Sequence, residues 1–212
     1  MALRFAPTVE DILGLPDDGY RHELVYGVHH VSSAPSGRHQ ISVARFLLRL
    51  MLTRPPEYEV LPAPFAWIAT DPDGERHEIQ PDLLVVTAEQ AQRQVLEDEL
   101  PFLVVEVLSP GAANRARALE EKFGLYQAVG VPAYWAFDPI NAVLRAWRLR
   151  GRELELPSVA AGECFEADWP WPVSLSRKTW SEDPLQIGGL ELGVGADQDG
   201  RRPCRGDHPG GH

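Results

Sequence analysis

Residues 79–86 read IQPDLLVV, and residues 102–108 read FLVVEVL. Both are short, nearly continuous runs of Val, Leu and Ile, the pattern of strands covered on both faces rather than strands with one wet side. Each carries one carboxylate: Asp82 heads the first run after its proline, and Glu106 interrupts the second. Burying an unpaired carboxylate costs several kcal/mol, so acids in such strands imply a cation, a metal ion or hydrogen-bond donors beside them.

Outward from this pair, strand and helix patterns alternate. Thr8 is placed to cap a short helix containing Val9, Ile12 and Leu13, with Glu10 and Asp11 in its first turn. HELVYGVHHVS, residues 22–32, has β-branched residues on either side of Gly27 and predicts a hairpin. ISVARFLLRLML, residues 41–52, predicts a buried helix through Ile41, Val43, Ala44, Leu47, Leu48 and Met51, ending before Pro55 and Pro56. A strand is expected over residues 59–69, a turn at DPDG (71–74), and a polar helix in AEQAQRQVLEDEL (88–100). A second helix is expected over about residues 117–128, closed by Gly130 and Pro132. AYWAFD, VLRAWRL and ELELPSV then read as strands, whose Tyr134, Trp135 and Trp147 belong to a core rather than to a base-stacking platform. The class is α/β or α+β, a central hydrophobic sheet flanked by helices.

At 212 residues the chain is long enough for one well-buried domain, assigned here to residues 1–180, with a polar, Gly- and Asp-rich flexible tail over 181–212. Two isolated cysteines, Cys164 and Cys204, make neither a disulfide framework nor a zinc site. His29, His30 and His77 lack spaced partners for zinc, and no phosphate-loop, dinucleotide or serine-hydrolase motif is present. No apolar run approaches the roughly 20 residues of a membrane span, and the opening residues do not read as a signal peptide, so a cytoplasmic protein without membrane contact is expected. The net charge of -11 argues against a protein that simply coats nucleic acid. It leaves room for a nuclease, because a metal site is itself acidic.

Asp82 and Glu106 are hard oxygen donors, and two such ligands with water and a substrate phosphate suit Mg²⁺ or Mn²⁺. Such an ion activates water and stabilises charge on a phosphodiester. The ordinary alternative is an Asp capping the turn after Pro81 and a Glu paired with Arg117 or Lys122.

The segment EVLSPG that continues from Glu106, the block KFGLYQAVGVPAYW at residues 122–135, and IQPD upstream together resemble the "putative restriction endonuclease" family of the PD-(D/E)XK nuclease superfamily. The resemblance extends from TVEDILGLPDDGYRHELVYG through APSGRHQ to WPWPVSL, about residues 7–175. It implies a restriction-endonuclease-like mixed sheet flanked by helices, and metal-dependent hydrolysis of DNA with Asp82 and Glu106 as ligands. The superfamily's commonest form has a lysine two residues after the Glu. Here that position is Leu108, which has only its backbone carbonyl to offer a metal. The resemblance draws the lysine instead from the following helix, at Lys122. Glu23 and His39 match further positions of the family, and Gln80 is placed to bond a ligand water. An Asp usually stands four residues before the helix lysine; here it is Ala118, in a slightly longer linker. That departure keeps a second reading open, a nuclease fold with a degraded site serving as a binding or regulatory module. A hydrolase of another phosphate ester is a third. Cleavage of both strands of a duplex implies a two-fold homodimer.

Overall fold

The computed structural model of the chain describes residues 6–161 and 164–176. The expected boundary at residue 180 and the tail from 181 lie outside the described residues. Thr8 caps α1 (Val9–Leu13) with a reciprocal pair of bonds: the Asp11 N–H donates to its hydroxyl, and its own N–H donates to the Asp11 carboxylate. The expected hairpin forms from β1 (Arg21–Val25) and β2 (Val28–Ser32). Its two turn residues, Tyr26 and Gly27, have φ of 47° and 66°, the twist-matched geometry of a two-residue hairpin loop. Tyr26 holds this conformation without a glycine's freedom. Its N–H donates to His77 Nδ1 at 3.2 Å, and its ring packs edge-on against the same imidazole.

The long helix α2 (Gly37–Thr53) begins at Ser36, whose hydroxyl accepts the His39 N–H, and stops two residues before Pro55. Its buried face differs from the expected one. Val43, Phe46 and Leu50 face the sheet together with His39 and Ser42, while Ile41, Ala44, Leu48 and Met51 are exposed. Both stripes are apolar at helical spacing, so periodicity alone did not choose between them.

Three further expectations are corrected. IQPDLLVV is not one strand but β5 (Arg76–Ile79) followed by β6 (Leu83–Thr87), because Pro81 has no N–H to donate to a ladder. Likewise the strand expected over 59–69 divides into β3 (Tyr58–Pro62) and β4 (Trp67–Thr70) around Pro64. The segment 88–100 is no helix. It makes one 3₁₀ turn at Gln90–Gln92, then the short β7 (Leu96–Glu97), which pairs with β4 in parallel.

β8 (Leu103–Val107) leads into a helical segment that starts earlier than expected, with α3 (Ala112–Ala116). A π turn (Arg117–Glu121) follows, then α4 (Lys122–Val129). Gly130, at φ 85°, closes α4 in the left-handed conformation. β9 (Ala133–Asp138), β10 (Val143–Arg150), β11 (Glu153–Ala161), β12 (Cys164–Ala167) and β13 (Val173–Ser176) complete the order.

The strands form a six-stranded sheet in the order β11-β10-β9-β8-β6-β3, a five-stranded sheet β2-β1-β5-β4-β7, and the ribbon β12-β13. Both larger sheets are mixed, with β8 parallel to β9 and β4 parallel to β7. One face of the six-stranded sheet packs on α2 and the ribbon through Phe46, Leu50, Val85, Val105, Phe165 and Leu175. Its other face packs on α4 and the five-stranded sheet through Leu84, Val104, Leu125, Tyr126, Tyr134 and Trp67. Tyr134 and Trp135 are core residues, and Trp147 packs against the second cluster. Among the described residues, no helix is long and apolar enough to cross a membrane.

Candidate active site

Strand register brings the two strand carboxylates together. β6 and β8 are antiparallel neighbours with Leu83 opposite Val105 and Leu84 opposite Val104. Asp82 is the bend residue just before β6, and this register carried one step back points it toward Glu106. Directly opposed residues share a face, with Cβ atoms roughly 4.5–5.5 Å apart. That is the face to which α4 packs, and Lys122 is the first residue of α4.

Lys122 Nζ donates to Glu106 Oε1 at 2.7 Å and lies 2.8 Å from Glu23 Oε1. Tyr126, one turn further along α4, donates its hydroxyl to the same Glu106 oxygen at 2.8 Å. Glu23, from β1, also accepts the Gln80 N–H at 2.9 Å and forms an ion pair with Arg117 through its second oxygen. Asp82 Oδ2 accepts the Val107 N–H at 2.8 Å and is 3.0 Å from His39 Nε2 at the start of α2. Asp82 Oδ1 accepts from Arg21 Nη1 at 3.0 Å. Glu23, His39, Asp82, Glu106 and Lys122 are all buried, yet each lines one cavity of about 1200 Å³.

Burial makes every charge here depend on its neighbours. It pushes the Glu106 carboxyl above the usual carboxylate range; the Lys122 ammonium opposes this, while the charges of Asp82 and Glu23 reinforce it. Burial works the same way on Asp82, but the hydrogen bond and charge of His39, the Arg21 charge and the Val107 N–H outweigh it and hold that carboxyl low. Glu23 is also held low, burial being overcome by Lys122 and Arg117. Burial favours a neutral Lys122, but Glu106 and Glu23 raise its pKa, so the amine stays charged.

Lys122, the lysine expected from the helix, is fully inside the protein at 4% exposure. Gln80 lines the cavity, but its amide nitrogen is committed to the His22 carbonyl and to Glu78 Oε1. Its backbone does more for the site, with the N–H on Glu23 and the carbonyl accepting from Arg21 at 3.1 Å. Leu108 follows β8, is buried, and donates its N–H to the Phe137 carbonyl at 2.7 Å. Ala118 packs in the second core cluster, and its carbonyl accepts from the Tyr134 hydroxyl.

Arg21 and Tyr126 were missed, and each had a signal. Arg21 is two residues before Glu23, hence on the same strand face, and Tyr126 is four after Lys122, hence on the same helix face. The π turn had none. It makes the Lys122 N–H bond back five residues to the Arg117 carbonyl, so Arg117 rather than Ala118 is the residue one turn behind the lysine.

Glu78, on β5 behind Gln80, is a buried acid outside this cluster. Burial raises its pKa to about 7, only partly opposed by the Gln80 hydrogen bond. Since the unfolded carboxyl titrates near 4.5, the folded chain binds the extra proton. This contribution to stability is complete below about pH 4.5, declines as pH rises and is gone above about 7, a change on the order of 3 kcal/mol. Glu78→Gln is therefore expected to raise the melting temperature at pH 8 and leave it unchanged at pH 4. An equal effect at both pH values would contradict this.

A mixed central sheet flanked by helices is the restriction-endonuclease-like fold. The chain belongs to the family described as "Uma2: Putative restriction endonuclease", which matches residues 9–181. Among solved structures, it resembles one described as a putative nuclease belonging to DUF820 from Anabaena variabilis. The TM-score is 0.62 at 17% identity, over 82% of this chain and 97% of that one. At that identity the likeness establishes the fold. A comparison with curated proteins yields no match.

Proposed function

We propose that this protein is a metal-dependent DNA endonuclease whose site is Asp82, Glu106 and Lys122. The observation that supports the reading best is the convergence of Asp82, Glu106 and Lys122 on one cavity, with Lys122 Nζ 2.7 Å from Glu106. It brings the cation to the strand acid from the helix, where Leu108 leaves the strand itself without one. Ala118 does not leave the lysine unheld, because Glu23 and Glu106 fix its ammonium from two sides. This favours a working site over a degraded one.

The residues fit a small divalent ion. Among the described residues no group of three or more His, Cys, Asp and Glu is placed to hold a metal ion, so an ion here would rest on fewer side chains. Mg²⁺ is commonly bound through one or two carboxylates, completed by water and substrate phosphate. Glu106 Oε2 suits this role: no described residue bonds it, and it is not among the buried atoms cut off without a partner. Asp82 and Glu106 would hold the ion, with Glu23 behind them. When bound, Mg²⁺ or Mn²⁺ polarises the phosphodiester and makes water a better nucleophile.

In hydrolysis a water oxygen bonds to phosphorus, the bond to the leaving oxygen breaks, the water loses a proton and the leaving oxygen gains one. Lys122 enters as a fixed ammonium offsetting the charge that builds on the phosphoryl oxygens, since its two carboxylates keep it from acting as a base. Tyr126 fixes Glu106, and His39 and the Val107 N–H fix Asp82, so the ligands are oriented before substrate arrives.

Incubation with supercoiled plasmid and with single-stranded DNA tests the proposal. Cleavage that requires Mg²⁺ or Mn²⁺ and stops with a chelator is expected. Hydrolysis of small phosphate monoesters with both DNAs intact would favour the other phosphoesterase reading. Cutting both strands requires two sites, and we propose a homodimer to supply them. Sedimentation is expected to show a dimer at tens of micromolar, and a monomer there would remove that part.

A further inference from the structure

We propose that Arg21 binds the substrate phosphate, resting on Asp82 until the phosphate arrives. This rests on the nuclease reading of the same cavity and adds to it the group that receives the substrate's charge. Among the described residues that line the cavity, three carry permanent cations: Arg21, Arg117 and Lys122. Two of them are committed. Lys122 Nζ is held between Glu23 and Glu106, with its side chain 5% exposed. Arg117 has one terminal nitrogen on Glu23 and the other near the Ser32 hydroxyl, and its Nε is buried without a partner.

Arg21 differs. A single nitrogen, Nη1, makes both of its contacts, to Asp82 Oδ1 at 3.0 Å and to the Gln80 carbonyl at 3.1 Å. Nε and Nη2 bond no described residue, and neither is among the buried atoms cut off without a partner. The side chain is 24% exposed. Three N–H bonds therefore remain for a ligand at the cavity, two of them along the Nε–Nη2 edge whose parallel geometry matches two oxygens of one phosphate. The neighbourhood keeps this group charged: burial opposes the charge, but Asp82 and Glu106 more than restore it. β1 is also a rigid mount, paired with β2 on one side and β5 on the other.

The contact with Asp82 has a second consequence. Arg21 shields one oxygen of an acid that the proposed metal ion would use, so guanidinium and ion compete for Asp82. A phosphate that draws the guanidinium toward itself relieves that competition, which couples metal and substrate binding.

Titrations of the full chain with inorganic phosphate, by calorimetry in the presence of Mn²⁺, and with Mn²⁺ alone, by electron paramagnetic resonance, test this on the parent, Arg21→Gln and Arg21→Lys. Arg21→Gln is expected to weaken phosphate binding roughly 10–100-fold, the value of charged hydrogen bonds lost, and to bind Mn²⁺ more tightly than the parent. Arg21→Lys keeps a cation on Asp82 but not the fork. It is expected to hold Mn²⁺ like the parent while still losing phosphate, and it decides the matter if the Gln variant does not fold. Parent-like phosphate affinity in the variants, no phosphate binding by the parent, or unchanged Mn²⁺ affinity in Arg21→Gln would overturn the proposal. Neither titration needs turnover. A parent chain that fails to cut DNA overturns the nuclease reading and leaves the phosphate titration to decide Arg21.

Discussion

Lys122→Ala is expected to destabilise the metal-free protein by about 3–5 kcal/mol, the cost of leaving buried charges without their partner. The lysine is the shared cation of two buried carboxylates, Glu23 and Glu106, and only Glu23 keeps another, Arg117. Glu106 would be left with the Tyr126 hydroxyl alone. The pH dependence has a definite sign. In the parent, Glu23 is held low by its cations, so its ion pairs stabilise the fold above the unfolded carboxylate pKa and are lost as pH falls through the folded one. The deficit of the variant should thus be large at pH 7 and shrink in acid, where the orphaned Glu106 carboxylate protonates. A divalent ion should restore part of the lost stability by taking over the neutralising role. Cleavage should fall by a factor of roughly 10² or more, and metal should not recover it. Thermal unfolding with and without Mn²⁺, set beside the cleavage rate, checks this; a parent-like melting temperature in the absence of metal would refute it.

Asp82 should be equally intolerant, even of an isosteric change. Its two oxygens accept from Arg21 on one side and from the Val107 N–H and His39 on the other. An asparagine must turn its NH₂ toward one of two donors, Arg21 Nη1 or the Val107 N–H, so one buried contact becomes donor against donor. Asp82→Asn is expected to cost about 3 kcal/mol or more at pH 7. Because the parent carboxyl is held low, its advantage is present above the unfolded pKa and disappears as pH falls through the folded value. The two proteins should converge in stability once pH has fallen through that folded value. Chemical denaturation followed from pH 7 into acid measures this, and a deficit that does not shrink as pH falls would show that packing rather than charge is at stake.

How legible the molecule was depended on whether local chemistry or long-range pairing decided each element. The Thr8 cap, the hairpin around Gly27, the DPDG turn and the glycine stop at residue 130 are set by residues within a few positions of each other, and each formed as the sequence predicts. Residues 88–100 have a helical composition but are held elsewhere by distant partners. Leu96 pairs with Trp67, and the Trp67 indole donates to the Glu99 carbonyl at 3.0 Å. Tertiary pairing overrides propensity there. The strand break at Pro81 was readable in principle, since proline cannot continue a ladder, and it lets Asp82 leave one sheet and enter the other beside Glu106.

The acidic pair could be picked out because charged residues in apolar strands are conspicuous, and Lys122 because the family resemblance implies a lysine in the following helix. Their exact company could not. Whether Lys122 meets Glu23 as well as Glu106 depends on how the hairpin sits against α4. The π turn that sets the helix phase gives no periodicity of its own, because it repeats neither at 3.6 nor at 2 residues.

The central claim is that Asp82 and Glu106 share one divalent ion opposite Lys122. The most direct measurement is calorimetric titration of Mn²⁺ into the full chain and into Glu106→Ala, a variant that leaves Lys122 paired with Glu23 and so keeps its buried ammonium partnered. One ion bound per chain by the parent, with that binding lost in Glu106→Ala at an unchanged fold, is the result predicted. No binding by the parent, or binding of equal strength by the variant, would contradict it.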